Sequence, residues 1–311
     1  MEKSDFYREI ASNKRRTFAL MFVFSLVVVL LGLALGYLWG NPYAGFLIAF
    51  AVSLVTAWGS YYWSDQIVLA ITHARPATKE EFPHFLNVVE GLAIAAGLPA
   101  PRCCVVDDPA PNAFATGRDP DHAVICATTG LLALVDRYEL EGVVAHEMSH
   151  IRNYDVRLQT IAVVMAGMVV LLGDWLLRSV FWGRCGRRSD SRNEGPIMAV
   201  IMIVGLLVAI LSPIIAQLLK MAVSRRREYL ADASAVQLTR YPDGLASALA
   251  KLAAHVGPVR EANRATAHLF IVNPLKESGL DKLFSTHPPI MERIARLKAM
   301  DIGNVQGPSG A

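Results

Sequence analysis

Charge is scarce in this sequence, and its scarcity is uneven. Asp, Glu, Lys and Arg make up 18% of the 311 residues, and apolar residues 53%. Soluble domains carry about 25% charged residues. The shortfall is concentrated between Thr17 and Ser64, where none of the four occurs. A run that long excludes an ordinary core helix and fits two membrane-spanning helices of about 20 residues each. Gly40, Asn41 and Pro42 interrupt it where a tight turn should fall. The first apolar stretch follows a basic start, Lys14-Arg15-Arg16. It exceeds the roughly 7–15 residues of a signal-peptide core, and a second apolar stretch follows at once, so it reads as a span that is retained.

Cysteine is scarce too. Cys103, Cys104, Cys126 and Cys185 form neither a disulfide framework nor a cysteine-based zinc motif. The first three read as buried reduced thiols, and Cys185 as a loop thiol. The net charge is only +3. The basic residues flank the apolar segments rather than lining one face, so no nucleic-acid partner is expected.

Two more apolar segments cover residues 158–173 and 196–219. The first is at the margin for a span and could lie partly in the interface; the second is long enough and contains Pro213 and Gln217, which a buried span tolerates. The expected organisation is a polar tail (1–16), a membrane hairpin (17–64), a first catalytic part (65–155), a second membrane hairpin (156–219), a second catalytic part (220–301) and a disordered tail (302–311). Residues 83–97 read as a helix opened by Pro and closed by Gly. Residues 103–106 and 123–127 read as short strands, and 109–117 as an extended segment between turns. Asp136 and Glu139 form a candidate capping box, opening a helix that runs through Gly142 towards Asn153. Further helices are expected near 224–232, 244–255 and 289–300. The fold class is mainly α with a small β-sheet.

His146-Glu-Met-Ser-His150 lies on the helix after that capping box. Residues four apart share a helical face, so the two imidazoles can hold one Zn²⁺ at about 2.0–2.1 Å. Glu147 can reach the metal's open position, take a proton from the attacking water and deliver it to the leaving amine. A catalytic zinc needs a third protein ligand. Glu228 and Asp232 are also four apart; Glu228 can bind the metal while Asp232 orients a histidine from behind. Taken alone, the same two carboxylates read as a solvated pair after three arginines.

Three segments together resemble the HtpX-type membrane proteases, relatives of the type I CAAX prenyl proteases. They are His146-Glu-Met-Ser-His150, Ser224-Arg-Arg-Arg-Glu228-Tyr-Leu-Ala-Asp232 and Ser285-Thr-His-Pro-Pro-Ile-Met-Glu-Arg293. Pro111-Asn-Ala-Phe-Ala-Thr-Gly117 is similar to that family's edge-strand segment, which makes Asn112, Ala113, Phe114 and Ala115 candidate substrate contacts. The resemblance implies a polytopic membrane protein with a gluzincin-like catalytic domain, one Zn²⁺ per chain, and protein or peptide substrates. It implies cleavage of membrane proteins, particularly misfolded ones, at the cytoplasmic side of the cell membrane, and fixes no oligomeric state. It places His287 near the oxyanion and pairs Arg293 with the carboxylates behind the metal ligands. Read without the family, His287 is a turn residue before two prolines. A prenyl-protein protease and a non-catalytic membrane scaffold are the alternative readings. One feature pulls against a cytoplasmic catalytic domain: the loop 178–195 carries Arg178, Arg184, Arg187, Arg188 and Arg192 and would then lie outside, where short loops usually lack arginine.

Overall fold

The computed structural model describes residues 3–38, 40–168, 225–255, 269–272 and 288–300. Its first two helices, α1 (Lys3–Leu38) and α2 (Pro42–Tyr62), are each long and apolar enough to cross a membrane. The turn falls where Gly40-Asn41-Pro42 predicts it. Gly40 takes a positive φ, the Asn41 side chain accepts from the Ala44 N–H at 3.0 Å, and Pro42 opens α2. Glycines let the two helices touch. A Cβ added at Gly36 would lie 2.9 Å from the Gly45 Cα, and one at Gly32 would lie 2.1 Å from the Ala49 Cβ. Small residues four apart on both helices thus replace the hydrophobic drive that is missing between helices in lipid. Outward-facing Phe22, Ile48 and Val55 are exposed, as a lipid-facing surface requires. At 1.5 Å per residue α1 is about 54 Å long, well beyond the ~30 Å hydrocarbon thickness. The helix runs unbroken through the expected boundary at residue 16, with the turns around Asn13 and Lys14 before that boundary.

Those turns meet the second part of the fold. It comprises α3 (Ser64–Ile71), β1 (Arg75–Pro76), α4 (Pro83–Ala96), β2 (Arg102–Val106), β3 (Ala113–Gly117), a 3-10 turn (Pro120–His122), β4 (Ala123–Thr128), α5 (Thr129–Leu134) and α6 (Arg137–Arg152). A helix over residues 155–168, α7, follows. After the undescribed stretch come α8 (Arg225–Thr239), α9 (Pro242–Ala254) and α10 (Ile290–Lys298). Among the described residues one sheet forms, in the order β1-β2-β4-β3. β2 and β4 pair in parallel, with Cys104 opposite Cys126. β1 and β3 pair antiparallel to their neighbours, which leaves β3 at an edge.

The strands alternate between two apolar layers, as a period of two dictates. Val105, Ala115 and Ile125 pack towards Phe85 and Val89 of α4 and Val144 and Met148 of α6. Cys104, Phe114 and Cys126 pack on the other face with Val68 of α3, Val163 and Val164 of α7, and Phe270. Cys103, Cys104 and Cys126 are free thiols; burial pushes the Cys103 thiol up to about 12, which leaves it unreactive. A third layer joins Leu158, Ile161 and Met165 of α7 to Leu20, Phe24 and Val28 of α1. The described start of the third apolar segment is thus buried between the hairpin and the sheet. The rest of the second expected membrane hairpin, with its arginine-rich loop and Cys185, lies outside the described residues.

Candidate metal centre and active site

α6 begins on the predicted capping box. The Glu139 N–H donates to Asp136 Oδ1 at 3.0 Å, and the Asp136 N–H donates to Glu139 Oε2 at 2.8 Å. Lys251 of α9 adds an ion pair to Glu139 at 2.7 Å. This fixes the start of the helix whose third and fourth turns carry His146, Glu147 and His150, all buried. α8 packs across α6 and brings Glu228 to the same point. The two imidazole Nε2 atoms are 3.3 Å apart, with ring planes at 87°. Glu228 Oε2 is 3.6 Å from His146 Nε2, and Oε1 is 3.5 Å from His150 Nε2. Four ligands tetrahedrally placed about 2.0–2.1 Å from a zinc ion stand roughly 3.3 Å from one another. The two nitrogens have that spacing, each faces one oxygen of the carboxylate, and one ligand atom from each of the three residues lies within 4.8 Å of the others, a group that could hold a metal ion.

Each imidazole is backed by a carboxylate on its other nitrogen. His146 Nδ1 lies 2.9 Å from Asp232 Oδ1, and His150 Nδ1 lies 3.1 Å from Asp155 Oδ2. An acceptor at Nδ1 keeps the proton there and presents the Nε2 lone pair to the metal. Arg293 of α10 locks the first of these pairs. Its Nη2 and Nε donate to the two oxygens of Asp232 at 2.7 and 3.0 Å, while Nη1 donates to the Ile271 carbonyl at 3.2 Å. Asp232 thus stands between His146 and Arg293. Burial favours the neutral Asp232, but the charge of Arg293 and the contact with His146 outweigh it and hold the carboxyl below its usual range. Burial and Arg293 likewise oppose a second proton on His146; hydrogen bonds to Asp232 and Glu228 prevail and push it up to about 9. Burial raises the Glu147 carboxyl above its ordinary value, against the pull of the two histidines. A general acid–base group benefits from that direction.

β3 runs beside α6, at the sheet edge expected of the 112–116 segment. Asn112 turns its backbone towards β4, where its carbonyl accepts from the Thr128 N–H at 3.0 Å. Alternation then points Ala113 and Ala115 outward and Phe114 inward. Phe114 is a core residue, its ring 5.0 Å from that of Phe270. The chain itself covers the Ala113 end of the edge. The Ile271 N–H donates to the Ala113 carbonyl at 2.9 Å, and the Asn112 side chain donates to the Val272 carbonyl at 2.8 Å. Asn112 therefore holds residues 271–272, and Ala115 is the outward position beyond that cover. His287 lies outside the described residues.

The family model for Peptidase family M48 matches residues 79–301, which include both histidines, Glu147, Glu228, Asp232 and Arg293. The chain belongs to that family. As an M48 member it is a protease, a hydrolase of peptide bonds. Curated relatives named Protease HtpX homolog are similar over nearly the whole length. The one from Dictyoglomus thermophilum is 52% identical over 300 residues, 96% of each chain. The one from Caldanaerobacter subterraneus is 45% identical over 308 residues, 97% of this chain and all of the relative. The crystal structure of S. mikatae Ste24p aligns over 94% of this chain and 67% of that one, at 19% identity and a TM-score of 0.48.

Asp155 is the site residue that sequence reasoning misses. On an uninterrupted helix, five residues turn about 140° past His150, away from its face. Asp155 reaches His150 only because α6 ends at Arg152 and Tyr154 takes a positive φ of 59°, redirecting the chain into α7. No spacing rule carries that break.

Proposed function

We propose that this M48 protease is a zinc-dependent endopeptidase of the cell membrane, with one zinc per chain held by His146, His150 and Glu228. The observation that carries the reading is the buried group His146, His150 and Glu228, with one ligand atom from each within 4.8 Å of the others, beside the buried Glu147. Bound zinc supplies Lewis acidity, which makes water a nucleophile at neutral pH. Glu147 takes the proton of the attacking water. The oxygen bonds to the scissile carbonyl carbon, the carbon–nitrogen bond breaks, and Glu147 passes the proton to the departing amine. Arg293 and Asp232 hold His146 in place during these steps. His287 is assigned to the developing oxyanion by family likeness, a position that needs a donor besides the metal. The peptide lies extended along β3, pairing its main chain with the outward edge at Ala115. The site is read as gluzincin-like and the chain as polytopic, as the resemblance to HtpX-type proteases implies, and the substrates assigned are misfolded membrane proteins, cleaved on the cytoplasmic side in quality control.

The test is zinc content and casein cleavage on the same purified full chain in detergent. The wild type should hold about one zinc and lose activity to a chelator. Glu147→Gln keeps size and shape but cannot accept the proton. It should retain the metal and cleave roughly 10²–10⁴ times more slowly. Near-wild-type cleavage by a folded Glu147→Gln protein would sink the mechanism. Preference for a prenylated peptide over casein would replace the substrate assignment.

A further inference from the structure

The metal site reaches into the membrane hairpin through a single buried amide. Asn13 lies on α1, one helical turn before the charge-free run begins at Thr17, and is 1% exposed. Its Nδ2 donates to Asp155 Oδ1 at 2.7 Å and to the Asn153 carbonyl at 3.1 Å. Its Oδ1 accepts from Arg227 Nη1 at 3.1 Å. Arg227 Nε also stands 3.5 Å from Asp155 Oδ1. The other oxygen of Asp155 is the one that meets His150 Nδ1. Arg227 precedes the ligand Glu228 on α8. One side chain therefore touches the two segments that deliver the second histidine and the carboxylate ligand.

The residue type matters. An amide offers a donor and an acceptor on one rigid plane. Here the donor faces an anion and the acceptor faces a cation. An aspartate at this position would set two carboxylates against each other. An apolar residue would leave a buried carboxylate oxygen without its shortest hydrogen bond, a loss that low dielectric makes costly. α1 is continuous from Lys3 to Leu38, so the amide is fixed to a rod whose remainder forms half of the hairpin.

We propose that Asn13 is a positioning residue of the metal site: it fixes the Asp155 carboxylate that orients His150, and so couples the seating of membrane helix α1 to the metal affinity of the centre. This rests on the zinc-peptidase reading above. The membrane anchor is then part of the metal centre, and a displacement of α1 relative to the sheet loosens the carboxylate behind His150.

The experiment measures the zinc dissociation constant of the full chain in detergent by competition with a chromophoric chelator, together with the visible spectrum of the cobalt(II) form and the melting of the metal-stripped protein. The variants are N13L, N13S, D155N, T17V and H150A. Loss of a partner behind a metal ligand typically weakens metal binding roughly 10–100-fold. That loss is expected for N13L and D155N, with a smaller one for N13S and an altered cobalt spectrum in all three. Thr17 is equally buried one turn along α1, and among the described residues its hydroxyl bonds only to the Asn13 carbonyl. T17V should bind zinc as the wild type does. A purely structural role for Asn13 would lower the melting temperature of the stripped protein and leave the zinc constant and cobalt spectrum unchanged, and that result overturns the proposal. Should N13L fail to fold, N13S decides by the same criteria. H150A separates the two levels. If the wild type holds zinc that H150A loses, wild-type affinity in the Asn13 variants removes this inference alone. A wild type without zinc removes the reading beneath it as well.

Discussion

His146 and His150 are chemically alike in sequence and different in place. The first faces Asp232, itself clamped by Arg293; the second faces Asp155, held by Asn13 and Arg227. Both arrangements present Nε2 to the same point, and both set the imidazole against a buried carboxylate paired with a buried guanidinium. Burial and the charge of Arg293 oppose a second proton on His146, but its hydrogen bonds to Asp232 and Glu228 prevail and push it up to about 9. Metal and proton compete for the same nitrogen. Below pH 9 zinc must displace a proton from His146, so binding should tighten as pH rises, by about tenfold per unit for one displaced proton, and level off above pH 9. A competition titration of the full chain between pH 6.5 and 10 measures this directly. A constant affinity across pH 7–9 would show that His146 Nε2 carries no proton there.

At the scale of elements, the central motifs were legible because each sits inside one regular helix. His146 and His150, or Glu228 and Asp232, share a face by spacing alone, and the capping box before α6 is local chemistry. The hairpin turn was legible for the same reason. What escaped is whatever depends on a break or on a distant partner. Asp155 needs the turn at Tyr154, and the short β1 of Arg75 and Pro76 carries no strand pattern. The parallel pairing of β2 with β4 joins segments whose order in the sheet no periodicity encodes. β3 lies at the sheet edge, but its Ala113 end is bonded by Ile271, which makes Ala115 the candidate substrate contact to test. Ala115→Pro removes the outward N–H and forces φ away from the strand value. Turnover of casein should fall at least tenfold, as expected for a lost main-chain bond to the peptide (about 1.4 kcal/mol per factor of ten), with zinc content unchanged. Wild-type kinetics in that variant would take this edge out of substrate binding.

At the scale of the whole molecule, charge and aromatic residues mark one end of the hairpin. Lys14, Arg15 and Arg16 lie at the base of α1, and Trp58, Tyr61, Tyr62 and Trp63 at the end of α2 beside it. Arg118 and Arg157 from the catalytic part stack over Tyr62 and Tyr61 at 5.1 and 5.4 Å. The opposite end, from Gly40 to Tyr43, has no Lys or Arg within the run of residues 17–64. Basic residues stay on the cytoplasmic side, and aromatic rings gather at the interface. The catalytic part should therefore face the cytoplasm, with the turn outside. The arginines between residues 178 and 195 pull the other way if that region crosses twice, but the first helix usually sets orientation. Single cysteines at Tyr43, which is 83% exposed, and at exposed Asp121 test the arrangement in intact cells against the background of the native chain. A membrane-impermeant maleimide should label Tyr43→Cys at once and Asp121→Cys only after the membrane is opened. Labelling in the reverse order would turn the molecule over.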